Sequence, residues 1–206
     1  MSLKVPNGNP EIQSLKSRLD KVIVSSTNSE DAYIKQTVKL AIESASNLNY
    51  GVGAILVDKG GDVVSRGQNQ VFYPYFQSGL HAEMDALNQF EEKIRGERVD
   101  LKDYTIYTSL EPCPMCMSRI LMAGVGFTVY AADDDLGGMV HIIEAYLKSK
   151  KELKKQGFDN IGVLPDVWEQ FYIKQSFRKA DCDLELQKLA IEAFLLNIQQ
   201  IRSKRK

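Results

Sequence analysis

The sequence predicts an α/β fold in three layers: helices on both faces of a mixed central sheet of about five strands, with a helical C-terminal extension. Three observations predict it. Helical and strand-like patterns alternate along residues 30–132. The first two strand-like runs, Gly53–Asp58 and Val63–Gly67, are joined only by the turn Lys59-Gly60-Gly61-Asp62, so they form an antiparallel hairpin. The later strands alternate with helical runs, which serve as the crossovers that parallel neighbours require.

Taken in order, residues 1–10 hold two prolines, a glycine and two asparagines and read as a loose lead-in. Asp31–Ser46 carries Ile34, Val38, Leu40, Ala41, Ile42 and Ala45 as a helical stripe, with Asn28 or Ser29 placed to cap it. After the hairpin, residues 70–80 form a loop containing Phe72, Tyr73, Tyr75 and Phe76. His81 opens a helix that continues to about Ile94, and Tyr104–Ser109 alternates as a strand. Cys113–Ala123 is a helix begun by a proline-containing turn and closed by Gly124, and Gly126–Ala132 is a further strand. Asp133-Asp134-Asp135 with Gly137 and Gly138 is a loop, placed after a strand and so near any pocket at the strand ends. Met139–Gln156 reads as a charged helix, and Leu164-Pro165-Asp166 as the cap of another through Trp168. Asp183–Ile201 is amphipathic, with Leu184, Leu186, Leu189, Ala190, Ala193, Phe194, Leu196 and Ile198 as its apolar residues. It reads as a helix packed on the sheet, with a subunit interface as the alternative.

The chain has 206 residues, 44% hydrophobic and 26% charged, which suits one globular domain with a core over about 30–140 and the helical extension over about 140–203. No run of about 18 apolar residues predicts a membrane span, and Met1–Pro10 lacks the apolar stretch of a signal peptide. Three cysteines are an odd number, which favours a reducing, cytoplasmic setting and makes Cys182 a small buried hydrophobe. The net charge of −1 leans away from a long nucleic acid and toward a small substrate. The segment Arg202-Ser203-Lys204-Arg205-Lys206 is the exception: a frayed, solvated end, or a nucleic-acid contact.

The chemistry is concentrated in His81-Ala82-Glu83 and Pro112-Cys113-Pro114-Met115-Cys116. His81, Cys113 and Cys116 are good zinc ligands, and three protein ligands leave a fourth tetrahedral corner for water, the pattern of a catalytic site. Both halves fall at helix N-termini, whose free amides favour thiolate over thiol. Glu83 stands two residues from a ligand, where a carboxylate can move protons to and from that water. A Cys-x-x-Cys alone also suits a redox dithiol or half of a structural zinc knuckle. The first lacks its usual setting, and the second would need Cys182 and His141, which lie in unrelated contexts.

These motifs make the chain resemble the cytidine deaminase-like superfamily from Gly51 to about Val140. The matching pieces are Gly53-Ala54-Ile55-Leu56-Val57, Gly67-Gln68-Asn69, His81-Ala82-Glu83 and Tyr107-Thr108-Ser109-Leu110-Glu111-Pro112-Cys113-Pro114-Met115-Cys116. The histidine as first ligand is most similar to the branch of tRNA adenosine, guanine and cytosine deaminases. The resemblance implies a Zn²⁺-dependent hydrolase that replaces an exocyclic amine on a nucleobase ring, with His81, Cys113 and Cys116 on the metal and Glu83 as the acid–base group. It implies that Asn69 hydrogen-bonds the base or sugar, with a turn asparagine as the alternative that the residue type alone allows. It implies a homo-oligomer, a homodimer in the simplest case. Two features leave the substrate open. Gln77-Ser78-Gly79-Leu80 stands where the tRNA and guanine enzymes carry an Asp-Pro-Thr-Ala-like run, and the segment 137–165 is longer than in the compact tRNA enzymes. A small free purine or pyrimidine, of guanine or cytosine type, is the leading expectation. A tRNA-specific adenosine deaminase is the alternative, and a non-catalytic zinc- or RNA-binding module on the same fold is the rival from another class.

Overall fold

The computed structural model describes residues 9–24, 30–157 and 166–203. Five strands form one sheet in the order β2-β1-β3-β4-β5. Strands β1 (Gly53–Val57) and β2 (Val63–Gln68) are the expected antiparallel hairpin. Strand β3 (Thr105–Leu110) pairs antiparallel with β1 and parallel with β4 (Phe127–Ala132). Strand β5 (Ser176–Lys179) extends the parallel half at the far edge.

Alternation along the strands sends side chains to two apolar layers, as a period of two requires. Ile55, Val57, Tyr107 and Val129 face α1 (Pro10–Lys21), α2 (Asp31–Ser46) and α7 (Leu184–Leu195). Leu56, Ile106 and Tyr130 face the other way, against α3 (Ala82–Lys93), α4 (Pro114–Ala123) and the start of α5 (Val140–Lys155). Both layers contain side chains with no exposure at all, among them Ile34, Ile55, Leu87 and Leu186. Helices therefore cover both faces of a mixed sheet, as expected.

Three features depart from the sequence expectations. Helix α1 starts inside the expected lead-in. Its signals are Pro10 at the first turn, the Asn9 side chain accepting from Glu11 N at 2.9 Å, and the stripe Ile12, Leu15, Leu19. Residues 1–8, like the Asn28 and Ser29 cap candidates and Leu164 and Pro165, lie outside the described residues. The helical C-terminal part is present, yet it also carries β5, four residues long with only Phe177 buried, too short and too polar to show alternation. The amphipathic run Asp183–Ile201 is two helices, α7 and α8 (Ile198–Ser203). They part at Asn197, whose buried Nδ2 donates to Ala45 O at 2.7 Å and Asn49 O at 2.9 Å. Helix α6 (Asp166–Lys174) runs on past Trp168.

Close contact fixes how α3 sits on the hairpin. A Cβ on Gly67 would lie 2.1 Å from Ala82 O and 2.3 Å from Ala86 N, so the first turn of α3 rests directly on the β2 backbone. That turn carries His81 and Glu83.

Candidate active site

His81 and Cys113 each occupy the N-cap of a helix, α3 and α4, in extended backbone conformation, and neither side chain is spent on capping. Both side chains are therefore free to turn into the space between the two helix starts. Cys116 lies in the first turn of α4, three residues on, and so shares a face with Cys113. The sulfurs of Cys113 and Cys116 each stand 3.6 Å from His81 Nδ1. All three donor atoms lie within 4.8 Å of one another. Tetrahedral zinc, with Zn–N near 2.05 Å and Zn–S near 2.3 Å, places N and S about 3.6 Å apart. The donor set and its spacing therefore fit Zn²⁺.

Electrostatics prepare the set for a cation. A hydrogen bond from the Cys116 thiol, with His81 beside it, draws the Cys113 thiol down to about 4. The same pairing pushes Cys116 well up, so one sulfur of the pair is a ready thiolate. Burial opposes charge on His81, but Cys113 and Glu83 outweigh it and its pKa is raised. Glu83 is buried at the base of the site, 3% exposed, and accepts from Thr108 Oγ1 at 3.4 Å. Burial raises its carboxyl above the usual carboxylate range.

These groups floor a cavity of about 200 Å³. Asn69, at the end of β2, is buried in its wall; its Oδ1 accepts from Val71 N at 3.2 Å, and among the described residues its Nδ2 has no protein acceptor. The structure thus brings together all five residues singled out in the sequence: Asn69, His81, Glu83, Cys113 and Cys116.

The structure also adds wall residues that sequence reasoning did not single out. Asp134, one of a three-aspartate run read as a loop near the pocket, turns inward and is buried. Its Oδ1 accepts from Leu136 N at 2.9 Å and Gly137 N at 3.1 Å, and burial raises its pKa. Its neighbour Asp133 turns outward to Lys179 at 2.6 Å. Tyr50, Phe194 and Ile198 close the far side, the last two from the C-terminal helices. Their apolar spacing is no different from that of core positions, so no sequence signal marks them. The aromatic loop divides: Phe72 packs edge-on against Tyr50 at 5.4 Å and tilts against Phe76 at 5.8 Å, whereas Tyr75 and Phe76 are 65% and 64% exposed. Cys182 is buried away from this site, as expected, with burial pushing its thiol up to about 11.

The profile of the cytidine and deoxycytidylate deaminase zinc-binding region matches residues 27–132. The chain belongs to that family. Within these deaminases it is 30% identical over 109 residues to the tRNA-specific adenosine deaminase of Bacillus subtilis, covering 53% of this chain and 65% of that one. It is 34% identical over 107 residues to the guanine deaminase of the same organism, covering 50% and 64%. The chain thus spans just under two thirds of the length of each relative. A solved guanine deaminase structure from Nitrosomonas europaea shares the fold over 95% of this chain and 96% of its own, with a TM-score of 0.56 and 21% identity.

Proposed function

We propose that this protein deaminates a nucleobase hydrolytically, with Zn²⁺ held by His81, Cys113 and Cys116 and with Glu83 as the acid–base group. The observation that carries this reading is the burial of Glu83 beside three zinc-compatible donors on the floor of a cavity. Zinc, when bound, supplies an activated water at neutral pH. Glu83 would accept one proton from that water and pass it to the ring nitrogen next to the amino-bearing carbon; it would then take the second proton from the newly added hydroxyl, as that becomes the carbonyl, and deliver it to the departing amine. One water is consumed, one ammonia leaves, and a carbonyl replaces the amine. A purely binding module has no use for a buried carboxylate at that place.

The leading substrate is a small free purine or pyrimidine, of guanine or cytosine type. The cavity is smaller than the roughly 300–1,000 Å³ of sites for drug-sized ligands, which suits a single ring system. The net charge of −1 adds no general attraction for polyanions. Asn69 Nδ2 offers a donor to a ring acceptor, and Asp134 offers an acceptor to a ring N–H or amine. One observation favours a second reading, an adenosine in tRNA. Exposed Phe76 joins the cavity wall through Phe72 and Tyr50 and, with exposed Tyr75 beside it in sequence, presents rings on which a flanking base could stack. We read the chain as one deaminase domain, since β5 of the extension completes the same sheet, and as a homo-oligomer. Among the described residues no helix is long and apolar enough to cross a membrane.

The test is ammonia release from guanine, adenine, cytosine, their nucleosides, and tRNA with and without an anticodon adenosine, repeated over a salt series. Turnover of a free base with weak salt dependence is the expected result. Turnover confined to tRNA, with affinity falling steeply as salt rises, establishes the second reading. In either case Glu83→Gln keeps zinc and fold and loses about 10²–10⁴-fold in turnover; a wild-type rate refutes its role.

A further inference from the structure

Glu111 follows β3 directly and precedes Pro112 and Cys113. Its side chain has no solvent exposure. Burying a carboxylate is costly unless its oxygens are paired, and the source of the pairing is telling. Asp134 N donates to Oε2 at 3.1 Å, and His141 N donates to Oε1 at 2.9 Å. The His141 ring bridges both oxygens, with Nδ1 at 2.8 Å from Oε1 and 3.0 Å from Oε2. Each of these partners comes from residues 134–141, the segment whose Asp134, Leu136 and Gly137 wall the cavity. Met139 N donates to Pro112 O at 3.0 Å, tying the same segment to the ligand turn a second time. Gly138 passes so close that a Cβ there would stand 2.4 Å from Glu111 Oε2. His141 itself is half-exposed and touches neither the cavity nor the three metal-compatible donors.

We propose that Glu111 and His141 form a clasp that holds the 134–139 loop against the turn bearing Cys113, so that His141 is a positioning residue for substrate although it does not touch it. The buried carboxylate anchors the loop where a flexible surface connection would leave Asp134 free to swing out. The half-exposed imidazole completes the pairing of the carboxylate from the solvent side. The clasp sets the cavity wall, whereas zinc is held by residues on α3 and α4 and Glu83 sits on α3. Loss of the clasp therefore weakens substrate binding without removing metal or acid–base group.

The substrate readout rests on the deaminase reading; the structural readout does not. In the zinc-loaded protein, His141→Ala removes the ring but keeps the backbone donor, and His141→Asn keeps a donor at the position of Nδ1. Gly138→Ala is an independent perturbation that drives Glu111 and the loop apart. Hydrogen–deuterium exchange at amides 134–141, bound zinc, and KM and kcat on the substrate identified by the screen are measured for each. The expected result is faster exchange of that segment in His141→Ala and Gly138→Ala, with zinc content retained. KM rises by about tenfold, the scale of one lost hydrogen bond between Asp134 and substrate, with kcat changed far less. His141→Asn recovers most of both effects. Wild-type exchange rates in both perturbing variants overturn the clasp, whatever the protein deaminates. Faster exchange with unchanged KM overturns its role in substrate positioning. If the wild-type protein deaminates nothing in the screen, the functional reading fails and the exchange result alone decides the clasp.

Discussion

Substituting Gly67 with alanine tests how the hairpin positions the helix that carries His81 and Glu83. The new Cβ would stand 2.1 Å from Ala82 O and 2.3 Å from Ala86 N, both backbone atoms of α3. No rotamer change relieves such a contact. Restoring an ordinary separation of at least 3.4 Å requires the first turn of α3 to move by about 1.3 Å. Overpacking of this kind costs about 1–3 kcal/mol, which for a chain of this length lowers Tm by about 2–4 °C per kcal/mol. The larger consequence is for the site, because that turn carries His81 at its N-cap and Glu83 in its first turn. A displacement near 1 Å at reacting groups costs about 100-fold in rate. Thermal unfolding by circular dichroism, bound zinc by mass spectrometry and ammonia release are measured on Gly67→Ala. Gly79→Ala serves as the control, since a Cβ there meets nothing within 4 Å. Gly67→Ala with wild-type Tm and turnover would refute the argument that β2 sets the position of α3.

Zinc removal and replacement should show linkage to folding: free zinc at 100 times its Kd stabilises by about 2.7 kcal/mol, so a chelator lowers Tm by about 5–10 °C. The double variant Cys113→Ala/Cys116→Ala should show no chelator-dependent shift, and a full shift in it would exclude these sulfurs as ligands. Asn197→Ala strips the buried donor from Ala45 O and Asn49 O; urea titration should show a loss of about 1–3 kcal/mol, and an unchanged midpoint would discard the anchor. His141 faces Glu111, Asp133 and Asp135, and its pKa is raised chiefly by the hydrogen bond to Glu111. A raised folded value means that its contribution to stability is full below the unfolded value near 6.5 and fades as pH rises through the folded one. The stability difference between wild type and His141→Ala should therefore shrink from mildly acidic to alkaline pH, and a difference that grew with pH would reverse the assigned sign.

The sequence by itself determined the zinc-compatible residue set and most of the scaffold. His81, Glu83, Cys113 and Cys116 lie within two short motifs, and each motif spans the start of one helix, so local chain geometry alone delivers their relation within a motif. The hairpin was legible for the same reason, since Gly60 and Gly61 make a turn between adjacent apolar runs. Tertiary structure alone decided what surrounds those groups. Helix α1 is read from Asn9, Pro10 and the Ile12, Leu15, Leu19 stripe once the structure draws attention to them. Strand β5 could not be read this way, because its place is set by ladder bonds to β4 and not by its own residues. Asp134 turns in and Asp133 turns out because the first pairs with loop amides under Glu111 and the second with Lys179. Nothing in a run of three aspartates distinguishes them. Phe194 and Ile198 reach the cavity because Asn197 fastens the end of α7 to the turn after α2, across 148 residues of sequence. Contacts at that separation are set by packing and buried hydrogen bonds, which local periodicity does not encode.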